Sequence, residues 1–147
     1  MTVTLFTLDG TRMETDRVLE ASADWQAGSP AAQFSAVLPG ENWPEELVTV
    51  RWKNDSGFTL FEGYLDTAAQ VLDSDGPRLE VTARSAGCYL LDNEALPQSY
   101  DSVTLDSFCQ RYLDSYGIFH RGFSYRGRIP YTVPKGQSEW EALAGFV

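Results

Sequence analysis

The segment at residues 47–53 reads Leu47-Val48-Thr49-Val50-Arg51-Trp52-Lys53, with apolar and polar side chains in alternation. Successive side chains of a β-strand point to opposite faces, so Val48, Val50 and Trp52 are predicted to face a core together. Residues 78–84 repeat the pattern and add three apolar side chains to that core: Leu79, Val81 and Ala83. Phe34, in another such run, is expected to join them. The pattern is typical of half-buried strands in an antiparallel sheet.

Turn residues separate these runs from one another. Asp9-Gly10, Asn54-Asp55-Ser56-Gly57 and Asp75-Gly76-Pro77 tolerate the positive φ angles that hairpin turns require. Strands are therefore expected near residues 2–8, 12–22, 32–38, 47–53, 58–65, 67–73 and 78–84. Many short strands without intervening helices favour a small antiparallel β-barrel, split or partly open, over residues 1–88. No helix longer than two turns is expected in that domain.

The spacing of apolar residues changes after residue 85 and indicates a second domain of the α+β type over residues 89–147. Apolar side chains recur with helical spacing between residues 104 and 116, where Thr104 can cap the helix and Gly117 can end it. A short helical turn is expected at residues 85–92. Residues 118–125 and 128–133 are predicted to pair as a hairpin around Arg126-Gly127.

A capping box begins the last predicted helix, at Ser138-Glu139-Trp140-Glu141. In this motif Ser138 and Glu141 each accept a hydrogen bond from the other's backbone N–H. The sequence ends at Val147, and no segment after Ser138 offers an apolar surface against which this helix could pack. The second domain is therefore expected to be incomplete, and the chain to be the N-terminal part of a longer protein.

Composition and charge exclude several functions. The chain has 147 residues, of which 43% are hydrophobic, enough for a packed core. Its 21 acidic residues outnumber 11 lysines and arginines, and the net charge of −10 should repel nucleic acid. No run approaches the roughly 18 apolar residues of a membrane helix, and Met1-Thr2-Val3-Thr4-Leu5 has neither the basic nor the apolar region of a signal peptide, so none is expected. Cys88 and Cys109 sit in apolar patterns and are predicted to be buried thiols.

Residues suited to catalysis are sparse. His120 is the only histidine, so a Ser/His/Asp or Cys/His arrangement depends on it alone. Glu41, Glu45 and Glu46 could supply the two carboxylates of a glycosidase, but solvated carboxylates are the default in so acidic a chain. No catalytic residue is therefore predicted, and the chain is not expected to be an enzyme.

Metal and nucleotide sites have no better support. Asp73, Asp75 and Glu80 fit a hairpin turn more closely than a calcium-binding loop. The two cysteines lack the spacing of a zinc site, and no glycine-rich phosphate loop occurs. No metal and no cofactor are therefore predicted.

One basic cluster stands out, comprising Arg121, Arg126, Arg128 and Lys135 among aromatic residues. Such a cluster could bind single-stranded nucleic acid. The interpretation favoured here is that it pairs with acidic protein surface, in the same chain or in a neighbour. Arg126 and Arg128 are therefore candidate interface residues, and no contact with nucleic acid is expected.

Four segments of the second part carry a family resemblance: Leu90-Leu91-Asp92-Asn93-Glu94-Ala95, Thr104-Leu105-Asp106-Ser107-Phe108, Tyr116-Gly117-Ile118, and Val133-Pro134-Lys135-Gly136-Gln137-Ser138-Glu139-Trp140-Glu141-Ala142-Leu143. In order and spacing they resemble the baseplate hub proteins of contractile phage tails. The similarity is closest to Mu-like prophage tail proteins, which also resemble the valine-glycine-repeat spike proteins of type VI secretion. With the β-rich start, the resemblance covers most of the chain.

The resemblance implies a split β-barrel followed by an α+β domain, in a ring-shaped homotrimer that joins the tail tube to the central spike. The expected partners are then tail-tube and spike proteins, with no membrane. The expected location is the host cytoplasm during assembly and the virion tail afterwards. The hub role is mechanical, so no catalytic residue carries over.

The strand at residues 58–65 supplies the other two candidate interface residues. Alternation places Tyr64 on one face and Phe61 on the opposite face. In a one-layer barrel Phe61 is then expected to be exposed unless a neighbouring subunit, or the second domain of the chain, covers it.

Two other functions remain open from the sequence. Trp25, Trp43 and Trp52 could form a carbohydrate-binding surface, because aromatic faces stack on sugars. A peptidoglycan-cleaving tail enzyme that uses two acids is the other alternative.

Overall fold

The computed structural model describes residues 1–119 and 127–146, which form two compact units, Met1–Ser85 and Ala86–Val147. The first unit contains seven strands: β1 (Thr2–Thr7), β2 (Arg12–Thr15), β3 (Glu20–Asp24), β4 (Gln33–Pro39), β5 (Leu47–Lys53), β6 (Thr59–Asp73) and β7 (Gly76–Arg84). All seven belong to one antiparallel sheet with the order β2-β1-β5-β6-β7-β4-β3. The prediction of a mainly β, antiparallel first part is confirmed. Residues 1–85 contain no helix.

Two predicted strands differ from the structure. The runs at 58–65 and 67–73 form one long strand, β6, that continues through an irregularity between Leu65 and Thr67. The run at 12–22 is divided into β2 and β3, which lie at opposite edges of the sheet. The break falls at residues 16–19, where the chain leaves one edge and crosses to the other.

The sheet curls strongly on itself. Phe34 on β4 and Trp52 on β5 are three strand spacings apart in the sheet order, about 14 Å if the sheet were flat. Their ring centroids nevertheless lie 5.6 Å apart. Within residues 1–85, β2 and β3 are each paired on one side only, so the ladder does not close into a barrel. The predicted barrel is therefore an open, curled sheet.

Gly63 makes the curl possible. Strand β6 pairs with β5 up to Tyr64 and with β7 from Tyr64 onwards, so it exchanges one partner for the other at this point. A Cβ atom on Gly63 would lie 2.3 Å from the carbonyl oxygen of Arg84 and 2.8 Å from Cζ of Phe61. Only a residue without a side chain allows β6 and β7 to approach this closely.

The inner face of the sheet holds one apolar core. Its buried members are Val3, Leu5, Ala32, Phe34, Ala36, Leu38, Leu47, Val50, Phe61, Leu79, Val81 and Ala83. Phe34, Val50, Leu79 and Val81 lie there as predicted, and Trp52 packs against them half-buried.

Val48 is not in this core, contrary to prediction. The register between β1 and β5 shifts between Phe6 and Thr7, so that Thr7 pairs with Leu47 and Phe6 with Thr49. Val48 is the extra residue of a β-bulge, and Leu47 takes the inward position instead.

Phe61 is 3% exposed, so the prediction that it lies on the outside is wrong. Its ring stacks on Phe34 with centroids 4.9 Å apart. Alternation correctly places Phe61 and Tyr64 on opposite faces of β6. Phe61 faces inward and Tyr64 faces outward. The core of its own unit covers Phe61, so neither a second subunit nor the second domain is needed to do so.

The second unit contains α1 (Cys88–Asp92), β8 (Gln98–Thr104), α2 (Leu105–Leu113), a 3-10 turn (Asp114–Tyr116), β9 (Arg128–Val133) and α3 (Glu139–Phe146). Its core surrounds Phe108, whose ring contacts four other aromatic rings at centroid distances of 5.0 to 5.7 Å: Tyr100, Tyr112, Tyr131 and Phe146. Burial of these large rings holds β8, β9, α2 and α3 together.

The helix ends follow the predicted signals. Thr104 Oγ1 accepts a hydrogen bond from the backbone N–H of Ser107 at 3.2 Å, and Gly117 ends the helical stretch with φ of 65°. In the capping box, the Ser138 N–H donates to Glu141 Oε2 at 2.7 Å and the Glu141 N–H donates to Ser138 Oγ at 3.1 Å.

The hairpin predicted between residues 118–125 and 128–133 is wrong in its pairing. Strand β9 pairs with β8, which lies before α2 in the sequence. Most of the predicted first arm, together with Arg126, lies outside the described residues. The β8–β9 pair is a long-range contact, which local turn signals do not reveal.

Both cysteines are buried, as predicted. Burial in the second core raises the pKa of the Cys109 thiol, and the nearby Asp106 carboxylate raises it further. The neutral thiol is therefore the stable form of Cys109, and it packs as a small apolar side chain.

We expect Gly63→Ala to destabilise the first unit, because the added methyl group would overlap the Arg84 carbonyl. Forced overpacking of this kind costs about 1–3 kcal/mol, and backbone atoms cannot rotate away. Urea unfolding followed by circular dichroism measures the loss. Thr59→Ala, an exposed change on the same strand, is the matched control. Equal stability of the Gly63 and Thr59 variants would contradict the close approach of β6 and β7.

A second prediction concerns pH and Glu139, the first residue of α3. Burial raises the pKa of its carboxyl above the ordinary value of 4.5, although a hydrogen bond with Tyr116 opposes the shift. The protonated form is thus favoured by folding, and this stabilisation is present below pH 4.5 and is lost as pH rises through the folded-state pKa. Glu139→Gln should therefore raise the melting temperature at pH 7 and leave it unchanged at pH 4.

The control for this prediction is Glu141→Gln, which alters the capping box and should not raise the melting temperature at pH 7. Thermal unfolding of both variants across pH 4 to 8 makes the comparison. A Glu139→Gln variant that is less stable than wild type at pH 7 would contradict the direction of the shift.

Candidate interaction surface

A row of hydroxyl groups crosses the outer face of the first sheet. By strand register, Ser22 on β3 lies beside Ser35 on β4, then Thr82 on β7, then Thr67 on β6. The Ser22 and Ser35 hydroxyl oxygens are 2.8 Å apart, and those of Thr67 and Thr82 are 2.7 Å apart. The outer face here is therefore polar and regular, and each hydroxyl is held by its cross-strand neighbour.

The next row along the strands carries charge. It consists of Asp24, Gln33, Arg84 and Tyr64 on the same four strands. The guanidinium of Arg84 donates two hydrogen bonds to the Asp66 carboxylate, at 2.9 and 3.0 Å. Because Asp66 is the extra residue at the irregularity in β6, this bidentate pair fixes the strand where it changes partner.

These two rows line a shallow depression of about 340 Å³, bordered by Ser22, Asp24, Gln33, Phe34, Ser35, Asp66, Thr82, Ala83 and Arg84. Its walls combine hydroxyl, amide and ion-paired groups with apolar surface in about equal parts. Such a surface suits contact with a polar protein surface. It is open to solvent, unlike the enclosed apolar pocket that small ligands usually occupy.

Of the four predicted interface residues, the structure describes three, two in the first unit and one in the second. Tyr64 is 39% exposed on the outer face of the first unit, next to Arg84. Arg128 is exposed on β9 of the second unit, opposite Thr104. Arg126 lies outside the described residues, and Phe61 belongs to the core.

The carboxylates considered for catalysis do not converge. Glu45 and Glu46 are exposed and border an open depression with Asp9, whereas Glu41 borders a different one with Arg78. Hydrogen bonds from Thr7 and Thr11 lower the pKa of Asp9, so this group stays ionised. His120 lies outside the described residues.

The acidic turn considered for calcium is occupied by an arginine. Arg78 donates to Asp73 Oδ2 at 2.6 Å and to Glu80 Oε1 at 2.8 Å, while the Asp75 N–H donates to Asp73 Oδ1. The hydrogen bonds with Asp73 and Glu80 raise the pKa of Arg78. The hydrogen bond from Arg78 also lowers the pKa of Asp73. Among the described residues, no three His, Cys, Asp or Glu side chains are arranged to hold a metal ion.

The tryptophans do not share one surface. Trp43 and Trp52 are half-buried against the core of the first unit, whereas Trp25 is 62% exposed beyond the end of β3. A single exposed ring is a poor platform for a sugar chain. Within residues 1–119 and 127–146, no helix has the length and apolar character needed to cross a bilayer.

Unpaired strand edges are a feature that the sequence analysis missed. Within residues 1–85, β2 and β3 each have one unpaired edge, and β6 has another after Tyr64, where β5 no longer pairs with it. The loop before β5 contains Trp43 and Pro44. Gln70 on β6 contacts this loop, because its side-chain Nε2 donates to the Trp43 carbonyl at 2.8 Å.

The fold is shared with solved phage tail proteins. The 43 kDa tail protein of prophage MuSo2 from Shewanella oneidensis matches with a TM-score of 0.75 and 14% sequence identity, over 99% of this chain and 48% of that chain. A tail protein from Neisseria meningitidis MC58 matches with a TM-score of 0.75 and 14% identity, over 97% of this chain and 43% of that chain. No protein-family model and no curated protein sequence matches. The chain thus has the fold of less than half of each of these two phage tail proteins.

Proposed function

We propose that the chain is a structural component of a phage or prophage tail. The observation that carries this proposal is the common fold, which extends over nearly the whole chain in two tail proteins from different bacteria. The match includes both units. A general resemblance between β-sheets would not extend to the second unit. Fold alone does not fix function, so the proposal also depends on the surface of the molecule.

The more specific role that we propose is that of a baseplate hub of the Mu-like type, joining the tail tube to the central spike as a ring-shaped homotrimer. Supporting this role are the ordered segments of the second unit that resemble such hubs, from residue 90 to residue 143. The expected location is the virion tail, after assembly in the host cytoplasm. Tail-tube and spike proteins are the proposed partners.

The charge of the first unit suggests what its partners carry. Its ion pairs use three arginines internally, in the contacts Arg51–Glu62, Arg78–Asp73 and Arg84–Asp66. Most remaining carboxylates of the unit are therefore unmatched at its surface. A partner surface with lysines or arginines would be favoured, with association that weakens as salt increases. Tyr64 and Arg128 are the residues that we place at such contacts, one in each unit.

The test is co-purification with tails. A tagged copy of the chain, expressed during lytic growth of the parent phage or prophage, should sediment with purified tails and be seen by immunogold labelling at the junction of tube and spike. Its absence from purified tails would end the proposal. Labelling elsewhere on the tail would keep the structural role and remove the hub role.

Substitutions refine this prediction. Tyr64→Glu should reduce incorporation into tails several-fold without loss of the β signal in circular dichroism, because the side chain is outside the core. Leu8→Glu, at an exposed turn between β1 and β2, is the matched control and should be incorporated normally. Equal incorporation of the two variants would show that Tyr64 lies away from the contact.

A further inference from the structure

The outer half of β6 is a strand edge without the usual protection. Strand β5 pairs with β6 only up to Tyr64, whereas β7 pairs with it as far as Asp73. From Thr67 to Leu72 the sequence is Thr-Ala-Ala-Gln-Val-Leu, with no charged residue and no proline. Proteins commonly protect an open edge with charges or prolines, since its backbone groups can pair with another strand.

The proline of β7 shows which backbone groups of β6 are unpaired. Leu72 lies opposite Pro77, which has no N–H group, so these two residues cannot exchange hydrogen bonds. The Pro77 carbonyl accepts a hydrogen bond from the Gly40 N–H at 3.0 Å, on the side away from β6. In an antiparallel pair, positions that exchange hydrogen bonds alternate with positions that do not. The backbone groups that point away from β7 are therefore those of Ala68, Gln70 and Leu72.

These three residues are open to solvent. Within the described chain, no backbone hydrogen bond reaches them from the side away from β7. Ala68 and Gln70 are exposed, and Leu72 is 79% exposed. Each residue offers one N–H donor and one carbonyl acceptor. Their spacing fits an added strand of about six residues, which would occupy the place beside β6 that β5 leaves.

A groove of about 280 Å³ runs along this edge, between the loop at residues 40–42 and the end of the β6–β7 hairpin. Gln70 pairs with the buried Leu79, so its side chain lies on the inner face, where it donates to the Trp43 carbonyl. The loop before β5 thus lies on the inner side of the edge. One row of side chains of an added strand would face this loop, and the other row would lie beside Ala69 and Val71.

The loop supplies negative charge that the edge itself lacks. Its three acidic residues are exposed and form no ion pair with a described residue: Glu41, Glu45 and Glu46. By contrast, the acids at the two ends of the open edge are paired, Asp66 with Arg84 and Asp73 with Arg78. Lysine or arginine side chains facing the loop would therefore be attracted to it, and their apolar stems could cover exposed apolar surface.

We propose that residues 67–72 of β6 bind an extended, basic segment of a second protein as an added strand. Lysines or arginines of that segment face the acidic loop at residues 41–46, and small apolar side chains alternate with them beside Ala69 and Val71. The backbone gives affinity and the loop gives selectivity for positive charge. This inference goes beyond the proposed tail role and does not depend on it.

Amide hydrogen exchange of the whole chain, resolved by nuclear magnetic resonance, tests the proposal. In the free chain the amides of Ala68, Gln70 and Leu72 should exchange much faster than those of Ala69 and Val71, which bond to β7. The probe is the peptide acetyl-Lys-Val-Lys-Val-Lys-Val-Lys-amide. It should slow the exchange of the three fast amides several-fold.

A control peptide separates strand pairing from attraction between charges. It has proline in place of each valine, so it carries the same charge but cannot form a ladder of hydrogen bonds. This peptide should leave the three amides unprotected. Protection by both peptides, or by neither, would overturn the added strand.

Paired variants test the acidic loop. Glu41→Gln/Glu45→Gln should weaken binding of the lysine–valine peptide several-fold at low salt, and less at high salt. Asp16→Asn/Asp55→Asn removes the same charge from exposed positions after β2 and β5, whereas the acidic loop precedes β5. This control should bind nearly as the wild-type chain does. Equal weakening in both double variants would contradict the role of the loop.

Two further results would separate this inference from its alternatives. If the three amides are already protected in the free chain and light scattering gives the mass of a dimer or larger assembly, a second copy occupies the edge and the proposal is wrong. A chain that sediments with tails but is not protected by the peptide loses only this inference. A chain that binds the peptide as described but is absent from tails loses only the proposed function.

Discussion

The close approach of β6 to β7 at Gly63 is the constraint on which the first unit depends. At this residue one long strand leaves β5 and continues along β7, and the space between the strands admits no side chain. The change of partner turns the two halves of the sheet towards each other, so that their inner faces share a core. Phe61 and Phe34 stack across that core. The Arg84–Asp66 pair holds the same point from the outer face.

The exposed surfaces follow from this geometry. Because β6 extends beyond the end of β5, its outer half has a neighbouring strand on one side only, and Leu72 remains 79% exposed. The opposite edge of the same four strands, β3, is unpaired as well. A sheet that curls without closing therefore keeps unpaired strand edges. The second unit depends on another device, the packing of aromatic rings around Phe108.

Much of the secondary structure could be predicted from the sequence, because alternation, caps and turn residues are local signals. Thr104, Gly117 and the capping box at Ser138 all act as the sequence indicates. Alternation defines the two faces of a strand but does not say which face is buried, so it cannot show that Phe61 lies in the core. The bulge at Val48 and the pairing of β8 with β9 depend on distant parts of the chain. The unpaired edge of β6 could have been suspected from its run of uncharged residues, but an edge is defined only once the neighbouring strands are known.

The curl of the sheet is most directly tested by proton–proton contacts between Phe34 and Trp52. These residues lie on β4 and β5, with two strands between them in the sheet order, and their ring centroids are 5.6 Å apart. Nuclear Overhauser spectra of the chain with labelled aromatic residues should contain cross-peaks between the Phe34 ring and the Trp52 indole. Cross-peaks from each ring to its own neighbouring strands, without any between the two rings, would contradict the curled sheet and the shared core.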